Sequence, residues 1–203
     1  MEIVFFAHSP LLGSQSMPRF ANMLVEGMRK RGWRVRLFMP RAYFSRLPVP
    51  RLLRKWLGYV DQYLLFPFEV KAMVKDSHPE TLFVFTDHAL GPWVPLVADR
   101  AHVIHCHDLL AQKSALGQVK ENPTGFTGRI YQSYIHRGYC AGKNFISVSE
   151  NTRRDLEMFL RKPPVRSKVI YNGMNQTFNP PDALIARANM SDKPRSNGHW
   201  SAA

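Results

Sequence analysis

The densest group of chemically capable side chains in the sequence is His105, Cys106, His107 and Asp108, within the stretch VIHCHDLLAQ. Two imidazoles, a thiol and a carboxylate could ligate a metal, or could supply a general base and its partner. Periodicity separates the two. The apolar residues leading into the group read as a strand, and successive strand side chains point to opposite faces. His105 and His107 then share one face, and Cys106 and Asp108 the other. Four consecutive ligands cannot converge on one ion while the strand stays regular. The sequence also has no paired C-x-x-C or H-E-x-x-H motif, so no metal is expected. His107 and Asp108 stand at the strand's exit, where a base or a substrate-binding histidine is useful. His105 reads as structural. On the residues alone, His107 is as well explained by a polar strand end as by a site.

Those residues need a scaffold. IVFFAH (3 to 8) is a continuous apolar run and reads as a buried strand. Residues 18 to 31 repeat apolar side chains at helical spacing, with Pro18 in the first turn and Gly32 at the stop. VRLFMP (35 to 40), TLFVFTD (81 to 87), HVIHCHD (102 to 108), NFISVS (144 to 149) and KVIYNG (168 to 173) complete six strands. Helices are expected over about 52 to 77, 127 to 141 and 150 to 160. Strands alternating with helices point to an α/β fold, a Rossmann-like doubly wound parallel sheet. A single domain is expected over 1 to 182, with an irregular tail or linker over 183 to 203.

In such a sheet, ligands bind beyond the carboxyl ends of the strands. Three further segments lie there. The loop Ser9 to Met17, with Gly13, Ser14 and Gln15, precedes a helix whose free N–H groups favour an anion, but it lacks G-x-G-x-x-G and Walker patterns. Ser149 closes a strand and is placed to cap the next helix, which Arg153 and Arg154 enter. Asn172 and Gly173 form a tight turn after the last strand.

Totals narrow the class. At 203 residues and 45% hydrophobic, the chain is long enough for one sizeable core. The start carries Glu2 rather than a basic n-region, and no apolar run is long enough to cross a bilayer, so a cytoplasmic protein is expected. Two cysteines imply no disulfide framework. The 28 basic residues outnumber the 15 acidic ones, and ten Lys or Arg with no acid lie between Arg29 and Lys55. Such a surface attracts phosphates or anionic lipid headgroups. RLLRKWLGYVDQYLLFPF (51 to 68) adds aromatics to it, so an anionic membrane is a candidate partner for residues 29 to 68. No helix-turn-helix, zinc-finger or RRM pattern accompanies the charge, and nucleic acid is not expected as a partner.

Taken together, IVFFAHSPLLGSQSMPRFANMLVEGMRKRGWRV, VIHCHD, FISVSENTRRDLEMF and KVIYNGMNQTFNP resemble the N-terminal half of a family 4 glycosyltransferase of the GT-B fold, over residues 1 to 182. The V-S-E-x-T-R-x-D-L and V-I-Y-N-G-x-N-x-x-F-x-P pair carries it most specifically. The resemblance implies a domain that binds the acceptor, often lipid-linked in relatives that act at membranes, while a second domain holds a nucleotide sugar. Transfer would retain anomeric configuration, with no metal and no cofactor beyond the donor. Gly13, Ser14 and Gln15 would face donor phosphates and acceptor. His107 would line the reacting centre as the catalytic residue, with Asp108, Ser149 and Arg153 near the substrate, and Asn172 and Gly173 near the interdomain crossing. The family's E-x7-E donor motif does not occur in this sequence. The chain is therefore expected to be a truncated or split enzyme of little activity alone, or a non-catalytic module that pairs with a separate donor-domain chain.

Overall fold

The computed structural model describes residues 1–9 and 16–173, and of Arg51, Leu52 and Lys55 the backbone alone. The boundary expected at 182 and the tail beyond it lie outside these residues. The described chain forms a six-stranded sheet in the order β2-β1-β3-β4-β5-β6, with every pair parallel. The strands are β1 (Glu2–Phe6), β2 (Arg34–Phe38), β3 (Leu82–Phe85), β4 (His102–Cys106), β5 (Asn144–Ser147) and β6 (Arg166–Val169). The α-helices are α1 (Ser16–Lys30), α2 (Arg51–Val60), α3 (Phe66–Asp76), α4 (Leu110–Ala115), α5 (Phe126–Tyr139) and α6 (Glu150–Phe159).

Alternation along the strands divides the core between two faces. Ile3, Phe5 and Val84 pack with Val25 of α1 on one side. Val4, Phe6, Phe83, Phe85, Ile104, Cys106 and Phe145 pack on the other with Phe66 and Val70 of α3, Ile135 and Tyr139 of α5, and Leu156 of α6. The sheet is thus covered on both faces, as parallel sheets require. No helix of the described residues is long and apolar enough to cross a membrane.

The first helix ends as its sequence dictates. Gly32 has φ +81°, its N–H reaches the Arg29 carbonyl at 2.9 Å, and the Trp33 N–H reaches the Met28 carbonyl at 3.2 Å. This paired closure needs a left-handed residue, and glycine adopts it without a Cβ penalty. The helix expected over 52 to 77 is α2 and α3 joined by one wide π turn, Asp61–Leu65. The sixth strand differs from expectation: it begins at Arg166 and ends at Val169, not at 168 to 173. Its register runs from Asn144↔Arg166 to Ser147↔Val169, so the short β5 sets its length. Arg166 and Lys168 are exposed on this edge strand, which removes the apolar signal there.

The short helix α4, a 3₁₀ turn at Phe44–Arg46 and a longer 3₁₀ segment were not foreseen. His88–Val97 coils as a 3₁₀ helix containing Pro92 and Pro95. It lies backbone to backbone on α5. A Cβ on Gly91 would stand 2.5 Å from the Ile135 carbonyl oxygen, and one on Gly138 would collide with the Gly91 backbone.

Candidate functional site

The chain passes from β1 to β2 at one edge, then crosses back to place β3 on the other side of β1. The connections diverge between β1 and β3, and at such a switch point a crevice opens outside the carboxyl ends of the strands. The polar residues gather there.

His8 leaves β1 and Asp87 leaves β3, and His8 Nε2 lies 2.9 Å from Asp87 Oδ2. His88 Nδ1 lies 2.9 Å from the other carboxylate oxygen. That second contact has ion-pair distance, but its angle leaves Nδ1 without a hydrogen bond. Burial alone would raise the Asp87 acid. The short contacts from His8 and His88 outweigh it and hold the carboxyl well below the usual carboxylate range. An ionised Asp87 only accepts, so His8 Nε2 carries a proton and donates it to Oδ2.

His107 is arranged the same way. Its Nε2 lies 3.0 Å from the Thr86 carbonyl oxygen, which can only accept, so Nε2 donates. Thr86 is fixed in turn, because its N–H and hydroxyl both donate to the Phe6 carbonyl, at 3.1 and 2.8 Å. The His107 carbonyl accepts from the Thr152 hydroxyl at 3.1 Å. Thr152 lies in the first turn of α6, where its N–H donates to Ser149 Oγ at 3.1 Å. Ser149 therefore caps α6 and steadies the residue that holds the His107 backbone. Two imidazoles, anchored to adjacent residues 86 and 87, thus flank the exit of β3.

The HCHD stretch separates as alternation requires. His105 and His107 both meet the Phe20 ring of α1 edge-on, at centroid distances of 5.4 and 4.5 Å. Cys106 lies fully buried in the opposite core, and burial pushes its thiol well up, so it is no ready nucleophile. His107 and Asp108 fall just past the strand rather than within it. Asp108 is exposed and accepts from the Leu110 N–H at 3.0 Å, which begins α4. Among the described residues no group of three His, Cys, Asp or Glu is placed to hold a metal.

Not every expected residue joins the cluster. Arg153 pairs with Glu150 on its own helix at 2.9 Å. Asn172 and Gly173 are exposed at the end of the described chain. Gly13, Ser14 and Gln15 lie outside the described residues. Sequence reasoning passed over His8, Thr86, Asp87 and Thr152. The signal for the first three was available: each follows an apolar strand directly, in FFAHS and FVFTDH.

Among the described residues, cavities adjoin the sheet at two places. One of about 610 Å³ lies at the exits of β1 and β2, lined by Ser9, Met39, Pro40, Arg41, Tyr43 and Arg46 among others. The other, of about 450 Å³, is lined by Pro92, Arg137, Cys140 and Arg161, near the segments that enter β5 and β6. That is the opposite edge from the imidazoles, so only the first belongs with this chemistry.

No protein of curated function matches the chain significantly. The sequence profile described as Glycosyltransferase Family 4 matches residues 17–178. That span contains five of the six strands, His107 and the Ser149–Thr152 cap, and the all-parallel Rossmann-like sheet is that of half a GT-B fold. The chain belongs to glycosyltransferase family 4.

Proposed function

We propose that this chain forms the acceptor side of a transfer cleft in which a hydroxyl group receives a sugar from a nucleotide sugar. A retaining course and independence of a metal carry over from the family resemblance. The observation that supports the acceptor reading is the pair of anchored imidazoles at the switch point. Each is held through its Nε2 beside the exit of β3, where an imidazole can orient a hydroxyl by a hydrogen bond. In this reading His107 orients the acceptor hydroxyl or steadies the transferred sugar, and the Thr86 and Thr152 contacts hold it ready. The acceptor oxygen bonds to the anomeric carbon, the nucleoside diphosphate leaves with the electron pair of the broken C–O bond, and the hydroxyl proton passes to the leaving phosphate.

The test is transfer from a panel of nucleotide sugars to sugar and lipid-linked acceptors, measured with the chain and, where required, its donor-domain partner. His107→Ala is expected to lower kcat by about 10²-fold. Unaltered transfer would remove His107 from the reaction.

A second reading concerns where the acceptor is met, and rests on the exposed aromatic and aliphatic side chains of α2, the π turn, α3 and α5. Leu53, Trp56, Leu64, Phe68, Phe126 and Ile130 are each more than half exposed. We propose that this face rests on an anionic membrane surface.

A further inference from the structure

The cavity at the exits of β1 and β2 is built around positive charge. Arg41 and Arg46 line it with Tyr43, above an apolar base of Met39, Pro40 and Ala42. Its volume, about 610 Å³, lies within the range of small-ligand sites. The segment Gly27 to Val60 contains no Asp or Glu, so no acid within it neutralises the arginines. Neither arginine has an ion-pair partner among the described residues.

The next acid along the chain, Asp61, serves a different purpose. It is 2% exposed and accepts from the backbone N–H groups of Tyr43, Phe44 and Ser45 at 3.2, 2.9 and 3.0 Å, and from Ser45 Oγ at 2.7 Å. Burial alone would raise this acid, and the four hydrogen bonds bring it below its ordinary value instead. One carboxylate in the π turn thus clamps the loop between its two arginines, while its own charge is consumed by the backbone. The result is a fixed turn with two guanidinium groups facing open space. Such groups match the oxygen geometry of a phosphate, which a neutral sugar cannot exploit.

Ser9 borders the cavity and directly follows His8, whose ring is anchored on Asp87. A ligand held by the arginines therefore lies at the same carboxyl edge of the sheet as His8, on the β2 side of it. We infer that this cavity binds a phosphate group carried by the acceptor, an inference that rests on the acceptor-side reading above. The phosphate could belong to a lipid headgroup or to a free polyol or sugar phosphate.

Isothermal titration of the full chain with glycerol 3-phosphate, glycerol and UDP tests the free form. Co-sedimentation with phosphatidylcholine vesicles, with or without about one fifth phosphatidylglycerol, tests the lipid form. Binding of either phosphate form is expected, weakened about tenfold by Arg41→Ala or Arg46→Ala and not rescued by Arg46→Lys. Arg137→Ala, at the remote cavity, should leave it unchanged. Free glycerol 3-phosphate binding identifies a soluble acceptor, and arginine-dependent vesicle binding alone identifies a lipid one. Glycerol binding as tightly as its phosphate, indifference to both arginines, or no binding of either form would overturn the inference. Tighter arginine-dependent binding of UDP would also overturn it, by assigning the cavity to the donor. Absence of transfer to every acceptor of the panel would sink the acceptor reading and leave arginine-dependent phosphate binding standing.

Discussion

Asp87 and His105 respond to acid in different windows. Burial, and secondarily the neighbouring His107, pushes His105 down to about 4. A histidine depressed in the folded state contributes stability above its unfolded value near ~6.5, and that contribution is lost as pH falls toward about 4. Asp87 is depressed below the unfolded carboxylate value near ~3.9, so its contribution is lost only at pH below about 4. Urea melts across the acid range should therefore show two successive declines. His105→Gln should flatten the first and Asp87→Asn the second. Asp87→Asn should also cost about 1–3 kcal/mol at neutral pH, because His8 loses its charged acceptor in a buried setting. If both variants keep the full wild-type slope, the ascribed environments are wrong. His107 was legible from its place after a strand, since alternation and strand-exit logic need only local sequence. Its partners were not, because Thr86 and Thr152 reach it from 21 and 45 residues away and each bonds through one backbone oxygen. Nothing in a single sequence marks which carbonyl a hydroxyl will find.

Strands and helices with strong periodicity were readable at the level of elements, as α1, α5, α6 and the first five strands show. The 3₁₀ segment was not. HALGPWVPLV has neither a 3.6-residue nor a two-residue repeat, and its two prolines argue against any regular element. Only packing explains it: Gly91 and Gly138 bring the segment and α5 into backbone contact, with Trp93 buried against Phe66. The two glycines therefore differ in kind from Gly58, inside α2, around which a Cβ meets nothing within 4 Å. Gly138→Ala forces a methyl into the Gly91 backbone and should destabilise the fold by about 1–3 kcal/mol or more. Gly58→Ala adds a methyl in open space and lowers the entropy of the unfolded chain, and should stabilise by about 0.5–1 kcal/mol. Thermal melts of the two variants should move in opposite directions. A shared direction would contradict the close approach at Gly138 or the open space at Gly58.

The surfaces of the molecule divide its work. The carboxyl edge of the sheet gathers imidazoles and arginines, whereas α2, α3 and α5 present a face of another composition. Trp56, Tyr59, Tyr63, Tyr131 and Tyr134 run across it in edge and tilted contacts, and the Tyr63 and Tyr131 hydroxyls lie 2.6 Å apart, tying α5 to the π turn. Burial and the neighbouring tyrosines raise both phenols, so they remain neutral on this surface. Exposed Arg54, Lys71 and Arg129 flank the aromatics. Neutral amphipathic rings beside cations suit a membrane interface, where apolar area is buried and charge meets anionic headgroups. The two contributions separate by salt. Added salt screens the cations, and a residual affinity should remain that depends on buried apolar area. Trp56→Ser with Phe68→Ser should abolish that residual binding to phosphatidylglycerol vesicles and leave the thermal melt nearly unchanged, since both side chains are 65% exposed. Arg54→Ala with Arg129→Ala should instead weaken binding at low salt, with each cation contributing about 1 kcal/mol. A vesicle affinity indifferent to both pairs would remove the membrane from this face and return its aromatics to a purely structural role between α5 and the π turn.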